Sequence, residues 1–265
     1  MVLPRWRETE QQIAEFGLTA TSPPELTVVI ATYNERENIL ALLPRLLDQP
    51  LRPSIIVVDD NSPDRTGEVV REIAQRYVGR VDLVSREAKA GYGSAMVAGL
   101  TRALSTGAPA VVTIDADLSH DPGDIPRLVG GLEEADIAIG SRYLNGVRVM
   151  NWGPDRLLLS LGANRYVKWV LGYEIYDCTS GFRAYRSEVL RALNLSRVRT
   201  RGYAFLVELL ELALQRGFQA TEVPIVYTER TAGRSKMSRA VMLEAALRPW
   251  WLRMKRFASR GSSEP

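Results

Sequence analysis

The sequence predicts an α/β fold: a mostly parallel sheet with helices on both faces, followed by an amphipathic helical segment at its C-terminal end. Two observations carry that expectation. From Leu26 onward, short β-branched runs alternate with segments of helical apolar spacing, and strand–helix alternation at this interval means a parallel sheet covered on both faces. Polar residues also follow the runs directly, at Tyr33–Asn34–Glu35, Asp59–Asp60, Asp115 with Asp117, and Ser141–Arg142. Ligands of such sheets sit at the carboxyl ends of the strands.

The first strand is "LTVVIAT", after a "TSPPE" break that sets off an N-terminal arm, residues 1–25, either a small packed helix or a loose segment. "NERENILALLPRLL" spaces Ile39, Leu42, Leu43, Leu46 and Leu47 as a helical face, which Pro44 is expected to kink or restart. "SIIVVDD" is the second strand and "DRTGEVVREIAQRY" the second helix, capped by Asp64 or Thr66. "VDLVS" is the third strand, with a helix from about Ser94 to Leu104. "AVVTID" and "ADIAIGS" are further strands around a helix started by Pro126. Beyond Arg142 the pattern loosens. "NWGPDRLLLSLGANRYVKWVLG" is a helix entered through Pro154, and "DCTSGFRAYR" is ambiguous. "YAFLVELLELALQRG" is a helix closed by Gly217, and "ATEVPIVYTER" a strand. "TAGRSKMSR" is a basic loop, and "AVMLEAALRPWWLRMKRF" the last helix.

Composition excludes several classes. A net charge of +3 is too small and too dispersed for a nucleic-acid partner. Nearly all basic residues are arginines, the lysines being Lys89, Lys168, Lys236 and Lys255. That bias suits bidentate phosphate binding or reflects genome composition. Cys178 stands alone, so no intrachain disulfide forms and a reducing compartment is expected. A single histidine, His120, argues against a His/Cys metal site. No stretch approaches the roughly 20 apolar residues of a membrane span, and "MVLPRWRETEQQ" lacks a signal-peptide core. The expectation is a cytosolic body.

The chemistry concentrates in three places. Asp115 and Asp117 are two apart, so in extended chain they point the same way, and their repulsion is relieved by a divalent cation. Mg²⁺ takes one or two carboxylates plus phosphate oxygens and water, which makes the pair a seat for a metal–diphosphate. In "VVDDNSPDRTGE", Asp59 is expected to face the cleft while the turn residues cap the helix. "GYGSAM" lacks the third glycine of a dinucleotide fingerprint and fits a close-packed helix start. "ERTAGRSKMSR" gathers Arg230, Arg234, Lys236 and Arg239 in a segment able to fold over an anion. An acidic metal seat and a basic lid together suit a diphosphate leaving group.

Taken in order, "VVIATYNERENI", "IIVVDDNSPDRTGE", "GYGSAMVAGL", "IDADLSHDP", "IGSRY", "TSGFRAYR", "GYAF" with Glu208, and "VPIVYTERTAGRSKMS" resemble the family 2 glycosyltransferases of GT-A fold. Within them the set is similar to the dolichol- or polyprenol-phosphate mannose synthases. The resemblance spans roughly Leu26 to Arg239 and implies a catalytic domain over residues 26–239. It implies Ala31, Tyr33, Glu35, Val57 and Asp59 around the guanosine of GDP-mannose. Asp115, Ala116 and Asp117 would meet the ribose and diphosphate, with Asp117 and Asp115 holding Mg²⁺ or Mn²⁺. Arg142, Arg230 and Lys236 would contact phosphates, and Arg156 and Ser160 would receive the phosphate of a polyprenyl acceptor. Two positions depart from the family pattern: Ala31 stands where proline is common, and Ser119 where a glutamine ligand often follows the aspartates.

The implied reaction is an inverting mannosyl transfer from GDP-mannose to polyprenyl phosphate. The acceptor is already an anion, so no catalytic base is required, and Asp117, Asp115 and Arg142 carry the chemistry. A polyprenyl-phosphate glucose synthase or another family 2 transferase is the alternative. A phospho-acceptor receiver domain shares "VVDD" but is about half this length and needs no basic lid. Residues 240–265, with Trp250, Trp251 and Phe257 among Arg248, Arg253, Lys255 and Arg256, suit a helix on a membrane surface at the cytoplasmic face. An ordinary helix packed on the sheet, or one docking an integral membrane protein, are the other readings.

Overall fold

The structure is a computed structural model that describes residues 24–198, 200, 202, 204–229 and 239–261. The basic loop at 230–238, with Arg230 and Lys236, and all but the end of the N-terminal arm lie outside the described residues. Among the described residues nine strands follow in chain order: β1 (Leu26–Thr32), β2 (Ser54–Asp59), β3 (Val81–Ser85), β4 (Ala110–Thr113), β5 (Ile137–Ser141), β6 (Val149–Met150), β7 (Arg183–Arg186), β8 (Ala220–Pro224) and β9 (Tyr227–Thr228). The helices are α1 (Arg36–Leu47), α2 (Thr66–Arg76), α3 (Tyr92–Leu104), α4 (Ile125–Gly130), α5 (Pro154–Leu171), α6 (Ser187–Ala192), α7 (Ala204–Leu214) and α8 (Arg239–Gly261).

Seven strands form one sheet in the order β3-β2-β1-β4-β7-β5-β8, and β6 pairs with β9 in a separate ribbon. All pairings in the large sheet are parallel except those of β7, which runs antiparallel to both β4 and β5. The ambiguous "DCTSGFRAYR" stretch supplies that strand. The chain winds outward from β1 through β2 to β3 and then returns to β4 on the other side of β1, so the sheet's switch point lies between β1 and β4.

Side chains alternate across the sheet. Val29, Ile56, Val58 and Val111 pack with α3, α5, α6 and α7, whereas Val28, Ile30, Ile55, Val57 and Val112 pack with α1, α2 and α4. Gly99 lets α3 lie flat on the strands: a Cβ there would sit 2.4 Å from Val29 and 2.9 Å from Val58. Gly93 serves the same end at the helix start, where a Cβ would fall 2.1 Å from the Thr200 carbonyl oxygen. Of the glycines of "GYGSAM", Gly93 is thus a packing residue, while Gly91 takes a φ of 97° before the helix.

Some expectations need correction. Pro44 does not restart α1: one continuous helix runs through it, lacking the single bond that an N–H at position 44 would give to the Leu40 carbonyl. β4 stops at Thr113, so Asp115 and Asp117 stand on a loop beyond the strand. "ATEVPIVYTER" divides into β8 and β9: the ladder with β5 ends with the Ile225 amide on the Ser141 carbonyl, and Tyr227–Thr228 pair with β6 instead. Of the two caps expected for α2, Asp64 is the one that closes its start, accepting from the Thr66 amide at 3.0 Å, and this expectation stands.

α8 packs against α7 and α5. Leu252 is buried in the core, and Arg248 and Arg256 pair with the buried Glu208 and Glu211 of α7. Leu243, Leu247, Trp250, Trp251 and Met254 of α8 are exposed, beside exposed Trp169 of α5. No helix among the described residues is long and apolar enough to cross a membrane.

Candidate active site

A cleft of about 1060 Å³ opens over the switch point. Ala31, Tyr33 and Glu35 line it at the end of β1, joined by Asp115, Ala116, Asp117 and His120 beyond β4. Arg142, Arg156 and Ser160 line it from the opposite side. The structure therefore brings together most residues singled out in the sequence. Val57 and Asp59 are not among the lining residues. Val57 points into the core with Ile55. Asp59 is buried in its own turn, accepting from Thr32 Oγ1 at 3.0 Å and from the Ser62 amide at 3.0 Å. The neighbouring Asp60 reaches the cleft instead, held by Arg86 at 2.8 Å and by the Ala90 amide at 3.1 Å.

Turn geometry aims the acidic pair. Leu118 adopts φ of 60°, a left-handed conformation that costs an L-residue roughly 1–2 kcal/mol. The turn brings the Ser119 amide to 3.2 Å from Asp117 Oδ1, and the Ser119 hydroxyl donates to the same oxygen. Ser119 thus orients Asp117. Thr113 Oγ1 donates to the Gly181 carbonyl at 2.7 Å, and a side chain on Gly181 would crowd the acidic pair. A Cβ on it would lie 3.0 Å from the Tyr92 hydroxyl and 3.1 Å from Asp115 Oδ1. Thr228 of β9 donates its amide to the Ser119 carbonyl, which ties the aspartate loop to the ribbon.

His120 lies under this loop between Phe182 and Tyr227, with ring centroids 5.2 and 5.1 Å away. Burial pushes its pKa down to about 4, against the opposing pull of Asp117, so the ring is neutral at pH 7. Its Nδ1 is 3.8 Å from Asp115 Oδ2, beyond hydrogen-bond reach.

Arg142 forms the opposite wall. Its guanidinium grips the fully buried Asp177 through two 2.7 Å bonds and Thr179 through one of 2.8 Å. Burial alone would raise the Asp177 pKa, but Arg142 and its hydrogen bonds outweigh burial and hold the carboxyl below its usual value. The same pairing outweighs burial at Arg142 and pushes its pKa up. Arg156 stacks over Trp152 at 4.2 Å and is paired with the Glu229 carboxylate. Tyr143 donates to Ser160 Oγ at 2.6 Å, which leaves the Ser160 hydroxyl as a donor. Lys89 lies 4.0 Å over the Tyr33 ring.

Sequence reasoning chose Asp59 over Asp60 and gave no role to Asp177, Trp152, Tyr227 or Glu229. Asp177 lies in the ambiguous "DCTSGFRAYR" and Glu229 opens "ERTAGRSKMSR", so both acids stood in segments already singled out.

Among the described residues no group of three or more His, Cys, Asp or Glu side chains could hold a metal ion by itself. Two carboxylates at a cleft wall, Asp115 being a quarter exposed, instead fit a cation completed by ligand oxygens. Residues 27–193 match the family model described as glycosyl transferase family 2.

The chain is a family 2 glycosyltransferase.

The transferase is 42% identical over 257 residues to the polyprenol monophosphomannose synthase of Mycolicibacterium smegmatis, covering 96% of this chain and 97% of that protein. It is 38% identical over 219 residues to the undecaprenyl-phosphate mannosyltransferase of Micrococcus luteus, covering 83% and 90%. Among solved structures, the transferase resembles glucosyl-3-phosphoglycerate synthase from Mycobacterium tuberculosis in complex with Mn²⁺, UDP-glucose and phosphoglyceric acid. That match has a TM-score of 0.63 at 23% identity, covering 96% of this chain and 85% of the other. The fold is GT-A-like, as the order of its motifs implies.

Proposed function

We propose that this transferase moves mannose from GDP-mannose to a polyprenyl monophosphate, giving polyprenyl-phosphate-mannose and GDP with inversion at the anomeric carbon. One observation carries the reading: the aspartate pair and the Arg156–Ser160 pair line a single cleft, so a donor diphosphate and an acceptor phosphate can meet there. The names of the relatives support both mannose and the polyprenyl carrier.

Asp117, fixed by Ser119, and Asp115 would hold a divalent cation, Mg²⁺ or Mn²⁺. When bound, that ion supplies positive charge to the departing diphosphate. Ala31, Tyr33, Glu35 and Ala116 would border the nucleoside, with Asp60 and Lys89 beside them in the same part of the cleft. Asp177 holds Arg142 in one orientation, so its guanidinium needs no rearrangement as charge develops. Arg230 and Lys236 are assigned to the donor phosphates by the motif they belong to. Arg156 would exchange Glu229 for the acceptor phosphate, and Ser160 would donate to the same group. The attacking oxygen is anionic near neutral pH, so no side chain has to take a proton from it. This differs from an inverting hydrolase, which must place an acid and a base on opposite sides of the sugar. The remaining work is in-line placement.

The exposed apolar residues of α8 and α5, set among Arg253, Lys255 and Lys168, support a peripheral seat on the cytoplasmic face of a membrane. The decisive experiment offers radiolabelled GDP-mannose or UDP-glucose with a membrane lipid extract. Lipid-linked label from GDP-mannose alone is expected. Label from UDP-glucose would replace mannose with glucose, and none from either would overturn the reading.

A further inference from the structure

His120 is the single histidine of the chain, and neither the donor nor the acceptor assignment uses it. Its ring is clamped between Phe182, tilted by 31°, and the edge-on Tyr227. Only 2% of the residue is exposed, and its Nδ1 is buried with no hydrogen-bond partner among the described residues. A buried nitrogen left unsatisfied is unfavourable, so packing alone does not call for histidine here. A phenyl ring would fill the same space without that cost. The nitrogen lies 3.8 Å from Asp115 Oδ2, about 1 Å beyond a normal hydrogen bond.

The clamped ring has little freedom to close that gap, so the carboxylate is the part that moves. Asp115 stands on the loop beyond β4, a quarter exposed and against Gly181. A Cβ on Gly181 would fall 3.1 Å from Asp115 Oδ1 and 3.4 Å from Oδ2, so the glycine leaves the carboxylate room to turn. We propose that His120 is a positioning residue for the cation seat: with the donor nucleotide bound, its Nδ1–H donates to Asp115 Oδ2 and holds the other carboxylate oxygen toward the cation. The role rests on the reading of Asp115 and Asp117 as cation ligands. Two acids at one seat repel each other until the cation arrives. An N–H behind each carboxylate draws off part of its charge and fixes its direction, the Ser119 amide for Asp117 and the imidazole for Asp115. Hydrogen bonds of this kind to a ligating group are worth about 10–100-fold in metal affinity. The orphaned nitrogen gains its partner when the nucleotide binds, so the cost of burying it is recovered there.

The test uses the full chain without a histidine tag, labelled with ¹⁵N-histidine, so that one imidazole supplies the whole signal. Long-range proton–nitrogen spectra are recorded for the chain alone and with Mg²⁺ and GDP. Binding is expected to move the Nδ1 proton downfield and to slow its exchange with water. An Nδ1 without a proton in the complex, or a signal unchanged by a complex that calorimetry shows to have formed, would overturn the role and leave the cation seat standing. If Mg²⁺ fails to strengthen GDP binding, the cation seat falls and the role of His120 falls with it. Three variants give a second readout, the Mn²⁺ affinity in the presence of GDP. The amide nitrogen of His120→Asn falls near the Nδ1 position and should keep that affinity within about threefold. His120→Gln, whose amide reaches the Nε2 position, and His120→Phe should each lose at least about tenfold. His120→Phe should still melt no lower than the wild type, a split between binding and stability that a merely structural histidine would not produce. Gln and Phe variants that hold Mn²⁺ as the wild type does, or an Asn variant that loses as much as Phe, would overturn the role.

Discussion

Removing the Asp177 carboxylate isolates a charge inside the protein. Asp177 is fully buried and Arg142 is 8% exposed. The carboxylate accepts two guanidinium bonds of 2.7 Å and the Arg142 amide at 3.1 Å. Asp177→Ala leaves the guanidinium with Thr179 as its remaining hydrogen-bond partner among the described residues. Breaking a buried pair from one side costs about 3–5 kcal/mol, most of it the stranded charge. For a domain of this size, a melting-temperature drop of about 6–20 °C follows. Asp177→Asn keeps hydrogen-bonding capacity and should cost less, while Arg142→Met with Asp177→Leu should recover much of the loss in stability but none in turnover. Acid titration adds a second test. The folded carboxyl titrates below its unfolded value of 3.8, so its contribution is fully present above that pH and disappears as the pH falls through the folded pKa. Urea unfolding at pH 7 and in the acid range measures both effects. A loss under about 1 kcal/mol for Asp177→Ala at pH 7 would refute the buried-pair argument.

Other expectations concern separate parts of the molecule. Glu229→Gln weakens the carboxylate's hold on Arg156, so the acceptor KM should fall about threefold or more with little change in kcat; a raised KM would mean that Glu229 helps to bind the acceptor. Gly93→Ala forces a Cβ onto the Thr200 carbonyl and should destabilise the fold by about 1–3 kcal/mol in denaturant titration, whereas a neutral result would mean the 200 region yields freely. Replacing Leu247, Trp250 and Met254 together by serine should reduce flotation with anionic liposomes at least about tenfold. Unchanged flotation would remove the membrane seat and point toward a protein partner.

The strand–helix alternation was legible because the buried strands of a parallel sheet are written as apolar runs, and the aspartate loop because acids directly after such a run have few structural uses. Adjacent acids were harder. Asp59 and Asp60 differ by one residue, and the turn through Ser62 decides which one reaches the cleft. Val57 lies within β2, in a sheet covered on both faces, so it packs into the core with Ile55 and does not line the cleft. The antiparallel β7 is short and contains two arginines, one of them the buried Arg183, whose guanidinium is satisfied by the carbonyls of Cys178, Ser180 and Leu206. No pattern of hydrophobicity announces such a strand. Asp177 and Glu229 came from distant positions in the chain to meet Arg142 and Arg156, and a single sequence holds no trace of those pairings.

Binding of Mn²⁺, followed by its electron paramagnetic resonance signal, tests the assigned cation seat most directly. With Asp115 and Asp117 as the assigned ligands among the described residues, the ion should bind weakly alone, at least about tenfold more tightly with GDP present, and lose that gain in Asp117→Asn. Equal binding with and without GDP, or an Asp117→Asn protein that keeps the gain, would contradict the account.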